Sequence, residues 1–163
     1  LSGAPRTSSP KWAPMAQQLD GWDFLNALSG KLRVKLTEPP EAISPDLVNQ
    51  KAPPQAEIAS VTLEPSVYLR QAREFRELTD EELARPALRA ARIRLRGEGG
   101  GIVAHEAPDG EQFTVADLLA AIEETERQTR GDSDWFDGID VHHVFFEGLH
   151  QEDEDLWRIY WGS

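Results

Sequence analysis

The sequence has no cysteine and a single methionine in 163 residues. Without thiols there is no disulfide framework, no thiolate metal centre and no cysteine nucleophile. No apolar run approaches the ~20 residues that a membrane-spanning helix needs. The opening LSGAPRTSSPKWAP lacks the apolar stretch of a secretory signal, so a soluble, cytoplasmic protein is the expectation. Two catalytic signatures are missing as well. GEGGG at residues 97–101 has no GxxxxGK[ST] frame, and GxSxG does not occur. Basic side chains run out toward the C-terminal end. Residues 99–163 hold Arg127, Arg130 and Arg158 against sixteen acids, and the whole chain carries −12. Such a field repels phosphate backbones and anionic lipid, which disfavours nucleic acid and membrane surfaces as partners.

A chain of this length fits one domain and buries roughly two thirds of its unfolded surface. Residues 1–18 are proline- and serine-rich without periodicity and are expected to form an arm, with 19–163 as a single domain. Leu19, Trp22, Leu25 and Leu28 nearly keep a helical period, which predicts a short helix. In KLRVKL, Leu32, Val34 and Leu36 alternate with Lys31, Arg33 and Lys35, the pattern of a half-buried strand. The proline-rich residues 39–56 read as an irregular connection. AEIASVTLEPS has the β-branched content of another strand, while the spacing in VYLRQAREF predicts a helix over 67–75.

Thr79 and Glu82 make a capping box for a brief helix that Pro86 stops. Beyond it Ala91, Ile93 and Leu95 alternate with Arg92, Arg94 and Arg96, and GEGGG turns that strand into IVAHE. The arginines are expected to pair with acids across strands. Thr114 opens the clearest helix, VADLLAAIEETERQT, with Asp117 placed to reach back to the cap. Val115, Leu118, Leu119, Ile122 and Thr125 share one face, and Glu123, Glu124 and Glu126 are expected to face water. GIDVHHVFFEGL and LWRIYWG are two strand candidates joined by the acidic HQEDED. The fold class is α+β, an antiparallel or mixed sheet of about five or six strands with the 115–126 helix on one face.

The order Gly21-Trp22-Asp23, Pro53-Pro54, FTVADLLAAI at 113–122, Phe146-Glu147-Gly148-Leu149 and Leu156-Trp157-Arg158-Ile159 resembles a domain of unknown function from mushroom-forming (basidiomycete) fungi. The resemblance spans residues 20–163 in outline. It implies an architecture and a fungal origin, and it brings no activity, cofactor or site residue with it.

Three of the four histidines fall between Ile139 and Trp161. On a regular strand Asp140 and His142 share one face and His143 the other, so the twin imidazoles serve different surroundings. An acid–base or metal-assisted site would draw on His142, His143, Asp140 and Glu147, with His105 from the neighbouring strand. A histidine on a strand is more often packing or surface. Asp132, Asp134 and Asp137 do not keep the calcium-loop spacing, because the sixth place from Asp132 is Asp137 where glycine is needed. Trp135, Phe136, Trp157, Tyr160 and Trp161 form an aromatic set that is either core or a binding surface. No motif names a cofactor. The reading is a non-enzymatic recognition domain for a protein or small molecule, with a homodimer through the aromatic hairpin as one arrangement. The alternative is a small enzyme, cofactor-independent or metal-assisted, built on the His/Asp cluster of 137–150.

Overall fold

The computed structural model describes residues 16–37, 57–132 and 139–163. The connection at 39–56, the acids Asp134 and Asp137, and Trp135 and Phe136 lie outside them. Among the described residues there are ten strands in two sheets, rather than five or six in one. The small sheet joins β1 (Gln17–Gln18), β5 (Pro86–Arg89) and β8 (Gln112–Thr114). The large sheet has the order β4-β3-β2-β9-β10-β6-β7. Its strands are β2 (Ser29–Leu36), β3 (Ile58–Leu69), β4 (Glu74–Arg76), β6 (Arg92–Arg96), β7 (Ile102–Glu106), β9 (Phe145–Asp153) and β10 (Leu156–Gly162). β10 lies parallel to β6, and the other pairings are antiparallel.

Helix α1 (Asp20–Asn26) follows the predicted period and buries Trp22 and Leu25. α2 (Asp80–Leu83) and α3 (Val115–Thr129) each begin with a complete capping box, Thr79 with Glu82 and Thr114 with Asp117. The box satisfies two amide donors reciprocally, which fixes where the helix starts. α3 packs against β3 near one side of the strand order and against β6 and β7 at the other, so the large sheet bends around it. Its buried face is the predicted one: Val115, Leu118, Leu119, Ile122 and Thr125. Glu126 departs from expectation. It is fully buried with Arg130, and the helix runs three residues further than its apolar stripe suggested.

The segment 67–75 is not a helix. β3 continues to Leu69, a turn follows, and Tyr68 faces Phe75 across a short hairpin. Pro65 does not interrupt the strand. The Leu63 N–H points away from β2 and is taken by Glu123 of α3 at 2.7 Å, and Pro65 lies two residues on, in the same orientation. Its missing donor therefore removes no ladder bond. Glu123 at the same time covers an edge amide that would otherwise be open to pairing.

The C-terminal hairpin forms with Trp157, Ile159 and Trp161 all buried, but β9 runs on through residues 150–153, which the sequence reading placed in the connection. Trp157 packs on Trp22 at 5.8 Å between ring centroids, and Trp161 meets Phe146 edge-on at 5.8 Å. Truncating either tryptophan is expected to cost about 3–5 kcal/mol. On β9 the alternation is reset by a bulge: Ile159 faces Leu149 and Trp161 faces Phe146, so Glu147 and Gly148 of β9 together stand opposite Tyr160 of β10. Gly148 takes the left-handed turn at φ 104° that this requires. The Leu149 N–H is bonded by Asn26 Oδ1 at 2.6 Å instead of a strand partner. Both Phe146 and Leu149 consequently enter the core.

The β6–β7 turn presses on the end of α3. A Cβ at Gly97 would stand 2.5 Å from Thr129 Oγ1 and 2.7 Å from Glu126 Oε2. Gly97→Ala is therefore expected to lower stability by roughly 1–3 kcal/mol, the range for overpacking. Urea unfolding of the two proteins measures it, and an unchanged midpoint would mean the turn relaxes freely.

Candidate functional site

α3 ends in an ion pair with no water around it. Arg130 Nε donates to Glu126 Oε1 at 2.6 Å, and both side chains are 0% exposed. Burying two charges costs less when their other hydrogen-bonding atoms also find partners, and here Arg130 Nη2 is left without one among the described residues. Glu126 Oε2 accepts the Glu98 N–H at 3.0 Å, and Arg130 Nη1 donates to the Asp140 carbonyl at 2.9 Å. The guanidinium also lies over the Trp161 ring at 5.2 Å. The β6–β7 turn and the segment entering β9 are thus both tied to the last turn of α3.

Those ties bring Glu98 and Asp140 together, and His143 joins them. Asp140 is buried, and its Oδ1 accepts the backbone N–H groups of His142 at 2.7 Å and His143 at 3.0 Å. The resulting turn swings the His143 ring back, so that Nδ1 lies 2.6 Å from Asp140 Oδ2 and 3.9 Å from Glu98 Oε1. Ligand atoms of Glu98, Asp140 and His143 all fall within 4.8 Å of one another. Burial pushes the Asp140 carboxyl up, but the two backbone donors and the His143 ring outweigh it and leave it below the ordinary range. Glu98 goes the other way. Burial raises it, His143 and Arg130 pull it down, and Asp140 and Glu126 add to the rise.

The expectation that Asp140 shares a face with His142 is corrected here. β9 starts only at Phe145, and the Asp140 turn sets positions 140–143 in place of a pleat. His142 is exposed and outside the cluster. His105 sits on β7 and meets Thr125 Oγ1 at 2.7 Å. Thr125 spends its only hydrogen on the Ala121 carbonyl, so its oxygen accepts from His105 Nε2–H, and His105 fastens β7 to α3. Glu147 is exposed and lines a separate groove. Of the five candidates, only Asp140 and His143 come together. Glu98 was missed because GEGGG reads as a turn, and nothing local marks its carboxylate as a neighbour of residue 140.

Trp157 and Trp161 are core residues rather than surface, while Tyr160 is exposed and stacks on His150 at 3.9 Å. Other aromatic rings are open. Phe75 is 61% exposed and Phe145 47% exposed. β2 and β9 meet at one register pair, Lys31 with Phe145, and a groove of about 780 Å³ is lined there by Lys31, Pro65, Phe75, Glu77, Phe145 and Glu147. Among the described residues neither Glu77 nor Glu147 has an ion-pair partner. The Lys31 ammonium stands 6.0 Å over the Phe145 ring. No family model, curated protein or solved structure matches the chain.

Two limbs of pH dependence follow from these environments. Burial lowers the His105 pKa from 6.5, with Glu124 pulling the other way. The unfolded chain then takes up a proton first, so the contribution of His105 is complete above about pH 6.5 and is lost as pH falls below it. Glu82, paired with Arg76, and Glu124, paired with Arg127, are both lowered to about 2, and Asp140 is lowered too. Their contributions are present above about pH 4.5 and are lost as pH falls toward 2. Urea unfolding across pH is expected to show both declines, with His105→Gln removing only the first. A curve that His105→Gln leaves unaltered would contradict the assignment.

Proposed function

We propose that the domain recognises a partner protein through a basic, lysine- or arginine-bearing segment that enters the groove between β2, β4 and β9. The observation that carries the reading is the pairing of open phenyl rings with unpaired carboxylates in that groove: Phe75 and Phe145 beside Glu77 and Glu147. Aromatic faces attract ammonium and guanidinium groups, and a carboxylate at the rim adds long-range attraction to the same cation. Lys31 over Phe145 is an example of that contact within the chain itself. The strongly acidic C-terminal part adds steering, because opposite charge raises the encounter rate.

An enzyme at His142, His143, Asp140, Glu147 and His105 has less support. Those residues are dispersed over β7, the 139–144 segment and the groove, and the groove holds none of the histidines. A homodimer would use the same open rings, Phe75 and Phe145, rather than the buried tryptophans.

The test uses fluorescent twelve-residue peptides of fixed length, alternating leucine with lysine, arginine or glutamate. Lysine and arginine peptides are expected to bind and the glutamate peptide not, with affinity falling as salt rises. Phe145→Ser and Glu147→Lys should each weaken binding by about tenfold or more, whereas Tyr160→Ser should not. Equal binding of acidic and basic peptides would overturn the reading. So would insensitivity to both groove variants, or Phe75-dependent self-association without peptide binding.

A further inference from the structure

We propose that Glu98, Asp140 and His143 form a binding site for a transition-type divalent cation, zinc or its neighbours in the first row. One imidazole nitrogen and two carboxylates suit these ions. Calcium and magnesium prefer sites built wholly from oxygen. The three donors come from two separate segments, the β6–β7 turn and the approach to β9, so the ion joins them at a point where the fold already holds both.

The donors are close to a usable geometry. A tetrahedral zinc with ligands at about 2.0–2.2 Å keeps them roughly 3.3 Å apart. His143 Nδ1 is 2.6 Å from Asp140 Oδ2 and 3.9 Å from Glu98 Oε1. Both separations reach that value by shifts of about 0.6–0.7 Å, which side-chain rotation supplies. The first residues of the cluster are also held from behind. Asp140 Oδ1 is occupied by two backbone donors, Oδ2 is hydrogen-bonded to His143 Nδ1 in a contact that the ion replaces as the ring gives up its proton, and the Glu98 backbone is anchored on Glu126. Such outer contacts orient metal ligands and are a large share of affinity.

The charge count supplies a second argument, independent of the donor geometry. Glu98, Asp140 and Glu126 gather around one permanent cation, Arg130, and that guanidinium is already bonded to Glu126 and to the Asp140 carbonyl. Among the described residues the Glu98 carboxylate has one ion-pair contact, His143 Nδ1 at 3.9 Å. A divalent ion in contact with its oxygen provides the missing positive charge. The aromatic groove is elsewhere and takes no part, so this site stands or falls apart from partner recognition.

The test is calorimetry and thermal melting of the full chain, stripped with EDTA and titrated with zinc, cobalt, manganese, magnesium or calcium chloride. One equivalent of zinc and of cobalt is expected to bind. At about a hundred times the dissociation constant the melting temperature should rise by roughly 5–10 °C. The cobalt form should show the visible absorption of a low-coordinate nitrogen–oxygen site. Glu98→Gln and His143→Gln should fold and weaken zinc by about tenfold or more, whereas His142→Gln and His150→Gln should not. No heat and no shift up to millimolar zinc would overturn the proposal. Undiminished binding in both site variants would also overturn it, by placing the ion elsewhere on this acidic chain, as would calcium or magnesium binding as tightly as zinc.

Discussion

A glutamate and an arginine shut away from water at the end of α3 constrain more of this structure than any other contact. Each charge loses several kcal/mol of hydration on burial, and their mutual attraction compensates more fully the more of the remaining donors and acceptors are used; of these, Arg130 Nη2 is left without a partner among the described residues. Glu126 completes its set with the amide of Glu98, and Arg130 extends its own with the carbonyl of Asp140. Two segments far apart in sequence therefore have to arrive at the same corner for the pair to be tolerated. Gly97 is the concession the backbone makes, since a side chain there would strike Glu126 and Thr129. The Glu98–Asp140–His143 cluster is a consequence of this requirement.

Much of the framework was legible because local chemistry and tertiary packing agree. The Thr114–Asp117 box and the apolar stripe behind it located α3, and strict alternation in RIRLR and LWRIYW located β6 and β10. Two of the three stripe arginines behave as expected: Arg94 pairs with Asp155 and Arg96 with Glu152, which Arg158 also approaches, while Arg92 has no ion pair among the described residues. Where the reading failed, a single position had two meanings. Val67 fits a helical period over 67–75 and equally a strand that runs on past Pro65, and so short a run does not separate the two. Glu126 looked like a water-facing acid because only Arg130, one turn on, and a distant turn make its burial affordable.

The histidines show the same limit from the functional side. A pleat through residues 140–146 would have separated His142 from His143, and they are separated, but by a turn built on Asp140 rather than by strand geometry. That turn selects His143 as the partner of Asp140 and supplies Glu98 from another element. Side-chain capture of backbone amides competes with strand formation wherever an aspartate precedes two free N–H groups. Periodicity cannot register that competition. The open aromatics escaped notice for a similar reason, since Phe75 and Phe145 gain their significance from the strand pairing that places β3 and β2 between them in the sheet order.

The dependence of this corner on the buried pair is measured most directly by a double-mutant cycle in urea, using Glu126→Met, Arg130→Met and both together. If the pair organises the corner, each single substitution leaves one charge stranded and costs about 3–5 kcal/mol. The double variant then costs no more than the worse single, giving a coupling above about 2 kcal/mol. Single losses below about 1 kcal/mol that simply add would contradict the account, and would mean that the turn and the β9 approach are held by packing alone.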